Sequence, residues 1–281
     1  MTYRQYPDAP SFLKAVGPTL ERDQAANNLM LGLAEQLSDS RYVQGFIPFF
    51  GALEERGRIL LAGLQTPPKR LVLYGDRELP GEAVEALVSR LLAGNPALPG
   101  VIGPSAVSRA FQDAWTARRR CGSGLFMSQR VYRLRKLRYR PQVPGRLRLG
   151  SVEDMGLISR WIADFMKHIG DRISYEEAVK RAKSRIGRRD LFVWETERVV
   201  SMVTKTRPTR NGIIVSGVFT PPAERRKGYA TACVAELSRL LLESGYDFCS
   251  LFADLANPYS NRIYQKIGYE PVCDYLAYDF S

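Results

Sequence analysis

Val218-Phe219-Thr220-Pro221-Pro222-Ala223-Glu224-Arg225-Arg226-Lys227-Gly228-Tyr229-Ala230-Thr231 is the stretch that decides how this chain is read. The run leading into it, Gly212 to Phe219, is short, apolar and rich in β-branched residues, which predicts a buried strand. After it, Tyr229, Cys233, Val234, Leu237, Leu240 and Leu241 recur at helical spacing, with Glu236, Arg239 and Glu243 on the opposite face. Ser244-Gly245 then supplies the glycine that commonly ends a helix. The stretch is a strand, a tight basic turn and a helix N-terminus. The first N–H groups of such a helix lack intrahelical acceptors, and the helix dipole adds partial positive charge there. Gly228 and Ala230 carry no bulk that would hold a ligand off the backbone, so the turn suits a pyrophosphate.

Arg225-Arg226-Lys227-Gly228-Tyr229-Ala230 resembles the Gln/Arg-x-x-Gly-x-Gly/Ala loop of the GNAT superfamily of acyl-CoA-dependent N-acetyltransferases. A second stretch, Asn257-Pro258-Tyr259-Ser260-Asn261-Arg262-Ile263-Tyr264-Gln265-Lys266-Ile267-Gly268-Tyr269, strengthens the resemblance. It follows an expected strand at 247–253. As in that family, it places a small residue three positions after an Asn, a Tyr seven after it and Gly-Tyr eleven after it. The resemblance covers roughly residues 145 to 281.

At 281 residues with 45% hydrophobic content, the chain can bury more than one core, and two domains are expected. MTYRQYPDAP shows no secretory pattern, and no apolar run approaches membrane-spanning length. The four cysteines, Cys121, Cys233, Cys249 and Cys273, are scattered without metal-type pairing. Reduced thiols in a cytoplasmic protein with no metal and no membrane partner are the expectation. The net charge of +12 is uneven, because no acidic residue lies between Asp113 and Glu153 while eleven basic ones do. The plain reading of that junction is a solvated strand face and linker. Attraction of RNA or an acidic partner is the other, and it lacks a nucleic-acid motif.

The chain divides into 1–140, a linker at Pro141-Gln142-Val143-Pro144-Gly145, and 146–281. In the first part the patterns predict strands at 3–6, 45–53, 58–66, 71–75, 100–103 and 125–134. Helices are expected at 11–21, 24–37, 82–93 (stopped by Gly94-Asn95-Pro96) and 105–117. The second part replays that order with a strand at 146–152, helices at 153–166 and 174–186, and strands at 191–195, 198–206 and 212–219. Fragments match collinearly: Arg58–Thr66 with Arg198–Thr206, Leu71–Gly75 with Ile213–Gly217, and Ser89–Leu92 with Ser238–Leu241. The match fails at the loop, where the first part has only Asp76-Arg77-Glu78-Leu79-Pro80-Gly81, whose carboxylates repel a pyrophosphate. The expectation is an α/β (α+β) chain of two GNAT-like domains in tandem. Each is a mixed, mostly antiparallel twisted sheet flanked by helices, and the first is a degenerate copy without a phosphate loop. That copy is left for substrate shaping or subunit contacts, a homodimer included.

The resemblance implies acetyl-CoA as acyl donor, bound along Val218, Phe219 and Thr220 and at Arg225, Arg226, Lys227, Gly228, Tyr229, Ala230 and Thr231. Asn257, Ser260, Asn261 and Tyr264 complete that implied set. The acceptor is an amine on a small molecule or peptide, attacking directly in a ternary complex. A phenol with an ordinary pKa of about 10 stays protonated at neutral pH, so Tyr264 is the candidate general acid. Asp254, Glu195 and His168 are the candidate bases, unless the pocket selects the neutral amine. Two other readings stand beside this one. One is a non-catalytic acyl-CoA-binding module; the other is a Fem-type aminoacyl-tRNA-dependent transferase, whose kind needs no CoA loop.

Overall fold

The computed structural model describes residues 1–39, 45–94 and 98–281. The first part of the chain runs β1 (Thr2–Gln5), α1 (Ala9–Leu20), α2 (Asn28–Ser38), β2 (Phe49–Glu55), β3 (Arg58–Gln65) and β4 (Leu71–Gly75). It continues through α3 (Gly81–Ala93), β5 (Gly100–Pro104), α4 (Ser105–Arg119) and β6 (Ser123–Leu134). The second part runs β7 (Arg146–Leu149), α5 (Met155–His168), α6 (Tyr175–Gly187), β8 (Leu191–Glu195), β9 (Val199–Thr206) and β10 (Gly212–Phe219). It ends with α7 (Tyr229–Glu243), β11 (Phe248–Asp254), α8 (Pro258–Ile267) and β12 (Glu270–Phe280). Element for element the two parts repeat, as the collinear fragments predict.

Where boundaries differ from expectation, a local reason is visible. The first helix starts two residues before Ser11, because the Asp8 carboxylate accepts from the Ser11 N–H at 2.8 Å and caps it. The second strand opens at Phe49, not Gly45. The expected stop of α3 at Gly94-Asn95-Pro96 lies partly outside the described residues. The closing strand β12 has no counterpart in the sequence reading.

Two compact units form, and neither is continuous along the chain. The first comprises residues 1–131, 252–258 and 271–281. Its sheet runs β1-β2-β3-β4-β5-β12, with β4 parallel to β5 and β12 antiparallel to β5 from Tyr275/Pro104 to Asp279/Gly100. Phe12, Val16, Met30 and Leu31 of α1 and α2 cover one face against Phe50, Ala52 and Leu64. Val84, Leu87, Val107 and Phe111 of α3 and α4 cover the other against Leu61, Leu71 and Leu73. The division at 141–145 therefore does not separate the compact units, because the last strand of the chain joins the first unit.

The second unit comprises residues 132–251 and 259–270. Its sheet is β7-β8-β9-β10-β11, closed by the end of β6, where the Ser250 hydroxyl donates to the Tyr132 carbonyl at 2.8 Å. Strands β7 to β10 are antiparallel, and β10 runs parallel to β11. Helices α5 and α6 pack Ile158, Trp161, Ala178 and Ala182 onto Leu191, Val193, Met202 and Phe219. The opposite face receives Cys233, Val234, Leu237 and Leu241 of α7, all buried.

Candidate functional site

β10 sets the geometry of the site. Its ladder with β11 runs only from Gly212/Phe248 to Ile214/Ser250. On its other edge, the register with β9 slips between Ser216 and Phe219, which is a bulge. Gly217 makes the bulge, with φ of +59°, and a Cβ there would lie 2.9 Å from Thr204 Oγ1. Thr204 holds the bulge by donating from its hydroxyl to the Ser216 carbonyl at 3.0 Å. Just beyond, the Ser201 hydroxyl donates to the Phe219 carbonyl at 3.1 Å and sits 2.8 Å from the Thr220 hydroxyl.

The turn after β10 folds back sharply ahead of α7. Arg226 has φ of +65° and Gly228 has φ of +86°, so the backbone doubles back before α7 begins at Tyr229. No side chain caps α7, and its first turn holds no acidic residue, so its leading N–H groups remain available to an anion. Glu224, only 6% exposed, organises the turn. It accepts from Arg198 at 2.5 Å and from Lys227 Nζ at 3.0 Å, and the Arg198 guanidinium holds its carboxyl below the ordinary range. Arg225 Nε donates to the Thr220 carbonyl at 3.1 Å. Lys227 and Arg225 thus shape the loop, while Arg226 is exposed.

Tyr264 lies in α8, 8% exposed, between two other aromatic rings. Tyr132 stands 6.3 Å away and Tyr269 6.0 Å away, centroid to centroid. Each neighbour's hydroxyl is occupied: Tyr132 donates to Asn261 Oδ1 at 2.9 Å, and Tyr269 is 2.8 Å from Ser238 Oγ. Burial pushes the Tyr264 hydroxyl up to about 12. Asn261 therefore anchors a tyrosine of β6, a role its sequence position does not reveal. Asn257 directly precedes the first residue of α8, Pro258, and donates its N–H to the Asp254 carbonyl at 3.1 Å.

The three candidate bases stand in different settings. Glu195 accepts from Arg148 at 2.8 Å and Arg146 at 3.3 Å, and the Arg148 hydrogen bond holds it below the usual carboxylate range. A carboxylate so held is a weaker base. Asp254 belongs to the first unit, where its Oδ1 accepts from the Ala256 N–H at 2.9 Å. His168, the last residue of α5, is exposed. Glu224 and the pair Thr204–Gly217 escaped the sequence reading. A lone glycine inside the strand pattern Gly212–Phe219 was the available signal for a bulge.

The basic junction resolves mostly into ion pairs. Arg118 meets Glu85, Arg130 meets Asp274, Arg138 meets Glu270, Arg140 meets Glu236, Arg146 meets Glu195, and Arg148 meets Asp154 and Glu195. In the turn replacing the loop in the first unit, Asp76 and Glu78 both bind Arg58, at 2.5 and 3.0 Å. There α3 begins after Pro80, with Glu82 in its first turn, so that helix end repels an anion. Among the described residues no helix is long and apolar enough to cross a membrane, and no group of three or more His, Cys, Asp or Glu could hold a metal. Cys233 and Cys249 are buried free thiols.

The family model described as FR47-like protein matches residues 195–276, the segment carrying the loop and Tyr264. Curated proteins give no sequence match. Among solved structures, a GNAT-family acetyltransferase from Colwellia psychrerythraea matches with a TM-score of 0.65 at 9% identity, over 100% of both chains. A GCN5-related N-acetyltransferase from Sphaerobacter thermophilus matches at 0.62 and 13% identity, over 99% of this chain and 94% of its own. A tandem GNAT protein from the clavulanic acid biosynthesis pathway matches at 0.59 and 12% identity, over 100% and 98%. The fold is that of these tandem GNAT structures, and the FR47-like match falls on residues 195–276 within its second part.

Proposed function

We propose that the chain transfers an acyl group from acetyl-CoA to an amine, at one site built on β10, α7 and α8. The observation that carries this reading is the uncapped start of α7 behind two left-handed residues, Arg226 and Gly228. Those N–H groups and Arg226 would hold the pyrophosphate. A 570 Å³ cleft lined by Arg140, Val143, Trp194, Ala232 and Glu236 adjoins Gly228 through Val143 and gives room for the nucleotide end.

At the end of β10, Val218 and Thr220 would align the acyl arm and polarise its carbonyl through backbone N–H groups. Tyr264 then gives its proton to the sulfur as the carbon–sulfur bond breaks and the carbon–nitrogen bond forms. The amine's proton leaves to solvent and solvent returns one to the Tyr264 phenolate, so atoms and charges balance. Calorimetry with acetyl-CoA, followed by thiol release on a panel of amines, tests the reading. Tight binding with thiol release on one class of amine is expected, and failure to bind acetyl-CoA removes it.

A further inference from the structure

Arg185 lies at the place where β10 bulges and, among the described residues, makes no ion pair. It projects from α6, partly buried, and donates from Nη1 to Thr204 Oγ1 at 3.2 Å. Among the described residues no carboxylate forms an ion pair with it, although a guanidinium has five N–H groups to satisfy. Its neighbour one turn earlier, Arg181, is differently placed, since Glu177 accepts from its Nε at 3.0 Å. Burial pushes Arg185 below the ordinary guanidinium value, Arg181 pushes the same way, and Asp190 opposes them from a distance. Charges withdrawn from water are normally paired, because an uncompensated one is costly.

The bulge fixes what this charge faces. A Cβ on Gly217 would sit 3.1 Å from Arg185 Nη1, so the glycine, at φ of +59°, lets the guanidinium lie close against the bulged backbone. Thr204, donating to the Ser216 carbonyl, presents its remaining lone pairs to Arg185 and fixes the guanidinium's position. The result is a positioned, planar fork of donors beside the strand proposed to carry the acyl group. Such a fork matches a carboxylate in two parallel hydrogen bonds.

We propose that Arg185 is the residue that selects the acceptor, and that the acceptor is an amine bearing a carboxylate, which docks on the guanidinium at the Gly217 bulge. This rests on the acyl-transfer reading above. A matched panel tests it: amino acids against their amides, with acetyl-CoA as donor. Alongside it, N-acetyl amino acids and N-acetyl amino-acid amides are titrated by calorimetry, which needs no turnover.

In the wild type the acid of each pair should show a lower KM by roughly 10–100-fold, the scale of a charge-assisted hydrogen bond. Arg185→Met should raise KM for the acids, leave the amides unchanged and alter kcat little; Arg185→Lys should restore part of the preference. A merely structural arginine would instead raise KM for acids and amides alike. A wild type that does not discriminate, a preference surviving in Arg185→Met, or a stronger preference for phosphorylated amines each overturns the proposal. If N-acetyl amino acids bind through Arg185 while no amine is acetylated, the carboxylate dock stands and its role in choosing an acceptor falls with the transfer reading. If amines are acetylated without regard to the carboxylate, the reverse holds.

Discussion

A phenol held as deeply as Tyr264 keeps its proton more firmly than one in water, which sharpens what it can do. Set at about 12 against a solution thiol near 8.5, a full proton transfer would be uphill by roughly 3–4 pK units, or ~5 kcal/mol. The same burial disfavours a free thiolate, so the gap narrows as the carbon–sulfur bond breaks. Tyr264→Phe keeps the ring packed between Tyr132 and Tyr269 and removes only the donor. Turnover should fall by about 10²–10⁴-fold with acetyl-CoA affinity nearly unchanged. The raised value also fixes a sign: the donor form is lost only as pH rises through about 12. The kcat profile between pH 8 and 10 should therefore show no fall owed to this residue, and a fall there that vanishes in Tyr264→Phe would contradict the assignment. Gly228 makes a second residue-level test. Any side chain there must adopt the left-handed φ of +86°, at a cost of about 1–2 kcal/mol, and its Cβ meets Val143 at 3.0 Å. Gly228→Val should abolish acetyl-CoA binding and lower Tm slightly. The control removes charge elsewhere: replacing Arg118 and Arg120 by Gln should change affinity by less than about 1 kcal/mol. If the control loses acetyl-CoA while the Gly228 variant keeps it, the site has been put on the wrong loop.

At the scale of elements, the same strand–turn–helix occurs twice with opposite electrostatics. After β10, Arg198 ties one buried carboxylate, Glu224, and leaves the start of α7 uncapped. After β4, Arg58, its collinear counterpart, ties two carboxylates, Asp76 and Glu78, ahead of a helix that begins behind a proline. An arginine at the head of the preceding strand or hairpin has thus kept its partner type while the turn it braces changed. One acetyl-CoA per chain should be found by calorimetry, and two equivalent sites would refute this contrast. Much of this was legible in the sequence, because periodicity, glycine placement and the loop pattern are local signals. The bulge was not read, since register slips depend on the neighbouring strand. Nor were the partners of Asn261 and Glu195, which lie far away along the chain. The same distance along the chain hid the partners of the basic junction, where Glu236, Glu270 and Asp274 reach Arg140, Arg138 and Arg130.

At the scale of the molecule, a linear reading divides the chain at 141–145, whereas the compact units trade their final strands. β12 lies against β5 in the first unit, and the end of β6 lies in the second. No periodicity reports such an exchange, because a strand looks the same whichever sheet takes it. The consequence is physical. Without β12, the strand β5 becomes an open edge, and the first unit loses the Arg130–Asp274 pair, the Arg70–Asp279 pair and the Tyr275 hydroxyl's bond to the Ala26 carbonyl. Without residues 132–140, the second unit loses Tyr132, the ring beside Tyr264, with its bond to Asn261, the Arg138–Glu270 pair and the Arg140–Glu236 pair. A fragment of residues 1–140 and a fragment of residues 141–281 should each fail to melt cooperatively and should associate on gel filtration, and the second should bind acetyl-CoA poorly although it holds the whole loop. Co-expressing the two fragments should restore a single sharp melting transition and one acetyl-CoA site. A cooperative melt with full acetyl-CoA affinity in 141–281 alone would show that the second half completes its sheet without the strand exchange.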